Sequence, residues 1–192
     1  MSRYSTVAVI LHWLIALSVI ALLIAGFWMG GAIRKPETQA VAFEVFQLHK
    51  SLGLTVLALT LARLAWRLGH RPPALPDTMP RWQKTAAHAT AWAFYAILLV
   101  MPLSGWAIVS TSPFGLPTMW FGLFEWPHIA PLAEAANAQQ LNATFEEVHE
   151  LLAWGTLGLL FLHVAGALKH HFIDRDNVLV RMAPWLSPRS NA

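Results

Sequence analysis

The sequence predicts an all-α membrane protein, a bundle of four transmembrane helices with both termini in the cytoplasm. Three observations carry that expectation. The chain is 56% hydrophobic and only 12% charged, about half the charge of an ordinary soluble domain. Four apolar stretches recur along its 192 residues, each about twenty residues long and so able to cross a bilayer. Lysine and arginine gather in alternate connections, the bias that fixes membrane topology.

The first stretch, 7–29, follows a short polar start with Arg3 and is interrupted by His12. A cleaved signal peptide is the competing reading. Its apolar core is usually about 7–15 residues, however, and further spans follow here. Gly30-Gly31 ends the stretch, and Arg34 to Glu37 reads as a loop. The second, 45–66, has His49 near its start and Arg63 and Arg67 at its far end. Proline and arginine between Leu68 and Pro80 mark the next loop. The third, 85–109, begins near His88 and contains Pro102, which removes an intrahelical hydrogen bond and kinks the helix. Residues 110–145 form a long connection. Its aromatic residues (Trp120, Trp126) place part of it in the headgroup zone. The fourth stretch, 147–170, carries His149 and His163 and ends near His170-His171. The tail from Ile173 lies at the surface. With no repeat, low-complexity tract or boundary, residues 1–192 read as one membrane domain.

Charge orients the bundle. Arg3, Arg63, Arg67, Arg71, Arg81, Lys84, Lys169, Arg175, Arg181 and Arg189 flank one side, ten residues against the three (Arg34, Lys35, Lys50) on the other. The richer side is cytoplasmic. The opposite face is acidic, with Glu37, Glu44, Glu125, Glu134, Glu146, Glu147 and Glu150. The basic residues form no stripe for nucleic acid, so none is expected as a partner. The absence of cysteine excludes disulfides, iron–sulfur clusters, thiolate ligation and covalent c-type haem attachment.

The histidines then sort by depth. His149 and His163 are fourteen residues apart, which leaves them on nearly one helix face and roughly 21 Å apart along the axis. His12 enters from the cytoplasmic side at about the depth of His163. His49 enters from the opposite side at about the depth of His149. The sequence therefore offers an inner pair, His12 with His163, and an outer pair, His49 with His149. Bis-histidine coordination between facing helices is how a bundle holds b-type haem, so two non-covalent b haems are expected, with these four histidines on the iron. Structural zinc wants four ligands, usually with cysteine. A carboxylate-bridged di-metal site wants Glu-x-x-His on several helices, and only one helix has it. Gly53 and Gly166 fall near the ligand faces, where a missing side chain lets a flat macrocycle approach; helix packing is an equal reading of either glycine alone. His88 competes for the inner site or lines a quinone pocket beside it. Arg63 and Arg67 either pair with haem propionates or simply anchor the cytoplasmic end. His170 and His171 fall at the cytoplasmic edge, and His70 and His128 in loops.

The residues also resemble a known family. Arg3-Tyr4-Ser5 leading to Leu11-His12-Trp13-Leu14, then Leu48-His49-Lys50-Ser51-Leu52-Gly53, Arg63-Leu64-Ala65-Trp66-Arg67, Met101-Pro102-Leu103-Ser104-Gly105, His149-Glu150, and Leu162-His163 through Lys169-His170-His171 are similar to the bacterial cytochrome b561 family, in order and spacing, over nearly the whole chain. The resemblance implies a four-helix inner-membrane cytochrome with two b haems on His12, His49, His149 and His163, exchanging electrons with ubiquinone or another quinone. It further implies, for some relatives, superoxide:quinone oxidoreduction. For others it implies a haem-bearing anchor of a hydrogenase- or dehydrogenase-like complex. The acidic outer face suits a basic periplasmic protein, such as a soluble cytochrome c, better than an anionic donor. A haem-free histidine-dependent transporter is the remaining alternative.

Overall fold

The computed structural model describes residues 3–187. Arg189, one of the ten basic residues counted above, lies outside them, as do the ends of the expected 1–192 domain. Four long helices dominate: α1 (Thr6–Ala32), α2 (Gln39–Gly69), α3 (Arg81–Thr111) and α5 (Ala138–Phe172). All four are long and apolar enough to cross a membrane. Between α3 and α5 come a two-stranded antiparallel hairpin, β1 (Thr118–Trp120) with β2 (Phe124–Trp126), and the single-turn α4 (Ala130–Ala133).

Each long helix outruns its apolar core. The polar ends still gain backbone hydrogen bonds in the headgroup layer, so the helix continues where hydropathy stops. The largest extension is at α5, whose first turns are Ala138-Gln-Gln-Leu-Asn142. Local chemistry sets the limits. Ser5 caps α1 by accepting the Ala8 N–H at 3.3 Å, as N-cap serines do. The turn into α2 is pinned by Thr38, whose hydroxyl donates to the Ala32 carbonyl at 2.7 Å. Lys169, His170 and His171 occupy the last turn of α5, where positive charge suits the helix dipole.

The packing is sparse for a protein in water. A small core of Ile15, Val19 and Val56 gathers Leu22, Leu59 and Leu98 around it. Elsewhere large apolar side chains face outward: Ile24, Leu61, Phe161 and Leu151 are all more than half exposed. So much apolar surface is untenable in water and is the expected surface in lipid. Several buried hydroxyls bond their own helix, as Thr156 does to the Leu152 carbonyl at 2.7 Å, whereas Thr60 Oγ1 is buried with no partner among the described residues.

Helix α1 packs on α2, α2 on α3, and α3 on α5; α5 does not pack closely on α1 or α2. Side chains such as Phe27 and Trp154, centroids 4.7 Å apart, reach across between α1 and α5. That arrangement leaves α5 facing the first two helices across a gap.

The long third connection is more ordered than its composition suggested. Ser51 on α2 holds the hairpin: its hydroxyl contacts the Gln47 and Met119 carbonyls at 2.9 and 3.0 Å and accepts the Phe121 N–H at 3.0 Å. Lys50 and Gln47 hold the Pro117 carbonyl. The turn needs left-handed backbone at Phe121 and Gly122 (φ 47° and 74°). Glycine adopts it freely, whereas at Phe121 it costs roughly 1 kcal/mol. At the other end of the bundle the tail is tied down. Trp13 Nε1 donates to the Met182 carbonyl at 2.7 Å, and Arg181 donates to the Ala74 carbonyl at 2.6 Å.

Candidate functional site

The gap beside α5 is where the four histidines meet. His12 of α1 faces His163 of α5 with ring centroids 6.1 Å apart. His49 of α2 faces His149 of α5 at 6.3 Å. The structure thus brings together the two pairs that depth selected. His88 is exposed on α3, and among the described residues its ring contacts neither inner histidine.

These distances are chemically selective. A metal–imidazole bond is about 2 Å and a ring nitrogen lies about 1.1 Å from its ring centre, so two imidazoles facing each other across one metal hold their centres about 6.2 Å apart, and two at a tetrahedral angle about 5.1 Å. A direct hydrogen bond of about 2.9 Å would draw the centres to about 5.1 Å. Both pairs match the first figure. Each is a set of two neutral nitrogen donors in apolar surroundings, which suits haem iron. Among the described residues, the only cluster with three candidate ligand side chains from His, Asp and Glu is His170, Asp174 and Asp176. There the His170 ring lies 2.8 Å from Asp176 and 3.2 Å from Asp174, and Lys169 lies 2.6 Å from Asp174. These contacts fold the chain back after α5.

The outer pair has a supporting shell that the sequence reading missed. Ser104 of α3 stands 2.9 Å from His149 Nδ1, and its hydroxyl donates to the Met101 carbonyl at 2.7 Å. A hydroxyl has one proton, and the carbonyl takes it. Ser104 therefore accepts from His149, which puts the proton on Nδ1 and leaves Nε2 without one. Two glycines flank the same pair. A Cβ on Gly105 would lie 3.3 Å from His149 Cε1, and one on Gly26 would lie 3.3 Å from His49 Cε1. Both rings rest against bare backbone. His49 Nδ1 is buried with no hydrogen-bond partner among the described residues.

At Gly53 and Gly166 an added Cβ would meet no atom within 4 Å. Both therefore border open space, in keeping with a face left clear. Gly26 was legible by the same depth argument, since it lies as far from the outer end of its span as His49. Ser104 and Gly105 stood in a quoted motif but had no role without α5 beside them.

At the inner level Phe94 packs edge-on against His163 at 5.3 Å, and Trp13 against His12 at 5.4 Å. Arg63 and Arg67 line a cavity at this end of the bundle. Arg67 also lies over Trp92, 5.4 Å from the ring centroid. His70 stacks on Trp66 at 3.8 Å.

Comparison with known proteins agrees with this architecture. The family model described as prokaryotic cytochrome b561 matches residues 3–185. Cytochrome b561 homolog 2 of Escherichia coli (strain K12) is 35% identical over 182 residues, 94% of this chain and 90% of the relative. Cytochrome b561 homolog 1 of the same organism is 29% identical over 186 residues, 96% and 98% of the two chains. A probable superoxide oxidase CybB of Yersinia pestis is 31% identical over 183 residues, 95% and 96%.

Proposed function

We propose a function for this chain from one premise: it belongs to the prokaryotic cytochrome b561 family. It is accordingly a multi-pass protein of the bacterial inner membrane, a b-type cytochrome that transfers electrons. Beyond that, our reading is that it carries two b haems, the inner on His12 and His163 and the outer on His49 and His149. Electrons pass through them between the quinone pool and a periplasmic donor or acceptor. The observation that carries the reading is the pair of imidazole–imidazole distances, 6.1 and 6.3 Å, at two depths of one helix.

Bound haem supplies a one-electron couple. The chain supplies the rest. His149 is oriented by Ser104 through its Nδ1 proton, so its ring does not turn away from the ligand position. Gly26 and Gly105 give the outer rings room to stand edge-on between helices. The apolar walls from Ile15 to Leu23 keep water from the interior and so lower the local dielectric. Arg63, which lines the cavity at the inner end, would meet the propionates of the inner haem. The roughly 21 Å between His149 and His163 along α5 carries charge most of the way across the membrane without moving the protein.

The deciding experiment is haem quantification with a reduced-minus-oxidised spectrum of the purified protein. Two b haems per chain support the reading; none ends it. A second reading takes superoxide as the periplasmic donor. It is favoured by the Yersinia pestis relative's name. Rapid reduction of the haems by superoxide in stopped flow would support it. A haem-bearing anchor role would instead show as stable co-purification with a dehydrogenase or hydrogenase subunit.

A further inference from the structure

The end of the bundle beside the inner pair holds a chamber lined by Arg63, which the reading above gives to the inner haem, and by three further arginines that it leaves unused. It is a cavity of about 350 Å³ walled by α1, α2, α3 and the loop after α2. Arg3, Arg63, Arg67 and Arg71 all line it, and no Asp or Glu does. Among the described residues no ion pair joins any of these four to a carboxylate. Its aromatic wall is fixed. Trp66 Nε1 donates to Ser5 Oγ at 2.9 Å, and His70 stacks on the far side of the indole. Tyr95, buried, lies 5.7 Å from the Arg67 guanidinium.

Four guanidinium groups round one cavity repel one another. The repulsion is about 1 kcal/mol for a pair at 4 Å in water and larger near the membrane. A site built this way favours an anion, and arginine forks match the paired oxygens of phosphate and carboxylate groups. The level is also informative. These arginines stand at the cytoplasmic ends of spans, at the depth of lipid phosphates, and basic pockets between helices on that side bind anionic headgroups. Trp92, whose ring centroid lies 5.4 Å from the Arg67 guanidinium, is 53% exposed, which gives an apolar surface for acyl chains next to the charged mouth. A free phosphate would leave that surface unused.

We infer that this cavity binds the phosphate headgroup of an anionic phospholipid of the cytoplasmic leaflet. Arg3, Arg67 and Arg71 supply the charge-assisted hydrogen bonds. Arg63, one turn deeper on α2, is shared with the inner haem edge.

The test uses haem-loaded protein in a neutral detergent, titrated with phosphatidylglycerol, phosphatidylcholine or inorganic phosphate. Bound lipid is read by native mass spectrometry and the thermal midpoint by haem absorbance. Phosphatidylglycerol should bind and stabilise; phosphatidylcholine and phosphate should not. The double variant Arg3→Gln/Arg71→Gln should weaken phosphatidylglycerol binding roughly tenfold or more, with haem content and visible spectrum unchanged. Arg71→Gln alone, in an exposed loop, should show a smaller loss and covers the case where the double variant does not fold. Equal binding of phosphatidylcholine, an equal response to inorganic phosphate, or variants that bind as the wild type does would each overturn the proposal. So would binding to haem-free protein alone, which would give the cavity to the haem propionates.

Discussion

The Ser104 hydroxyl stands 2.9 Å from His149 Nδ1 and 2.7 Å from the Met101 carbonyl, so one side chain of α3 sets the tautomer of a ring on α5. Partners of this kind usually change metal affinity by about 10–100-fold when removed. Ser104→Ala should therefore lower occupancy of the outer site and shift its midpoint potential, with the inner couple unmoved. Ser104→Thr, which keeps the hydroxyl, should restore most of the loss. A redox titration with two unchanged couples in Ser104→Ala would refute the role.

The glycine contacts give a graded prediction. Gly105→Ala places a Cβ 3.3 Å from His149 Cε1, which a few tenths of an ångström of ring movement relieves, so its effect should be mild. Gly105→Leu and Gly26→Leu should expel the outer haem and leave about one per chain. Gly31→Ala meets no atom and serves as the control. Haem counts that ignore side-chain size would sink the idea that bare backbone holds these rings.

Removing single ligands tests the pairing itself. His49→Ala and His149→Ala should each lose the outer haem and spare the inner. His12→Ala and His163→Ala should do the reverse. His88→Ala should keep both, because His88 is exposed and its ring contacts neither inner histidine. Loss of an inner haem in His88→Ala, with His12→Ala unaffected, would transfer the inner ligand to α3.

Ser51 makes two of the contacts that hold the hairpin to α2. Ser51→Ala should cost about 1–3 kcal/mol, since it leaves buried partners unmet. The cost should appear locally, as faster amide exchange in residues 118–126 while the long helices stay protected. Uniform exchange throughout would show that the hairpin is not held by this residue.

Topology can be checked with reporter fusions. An alkaline phosphatase domain joined after Leu123 should be active outside the cytoplasm, and one joined after Ser187 should not. The opposite pattern would invert every inner and outer label used above.

Much of this protein was readable from its order of residues, for a physical reason. A bilayer demands long apolar helices, fixes their length and biases charge to one side. The depth of each histidine then follows from counting at about 1.5 Å per residue. That is why the four spans, the gathering of arginine at one end and the two level-matched histidine pairs were legible in the sequence.

Counting gives depth along a helix but not rotation about it or identity of neighbours. Only the tertiary structure set α5 against α3 rather than α1, which opened the gap and put Ser104 and Gly105 on His149. Only it turned Gly26 toward His49 and removed His88 from the pair. It alone gathered Arg3, Arg63, Arg67 and Arg71, from 3 to 71 in the chain, round one cavity. The hairpin was hidden as well, because its two strands are three residues each, too short for a period-two pattern to emerge, and its hold on α2 comes from Ser51, about seventy residues away. Long-range contacts of this kind depend on which helix faces pack together. The membrane, which treats all apolar faces alike, leaves that choice to the side chains.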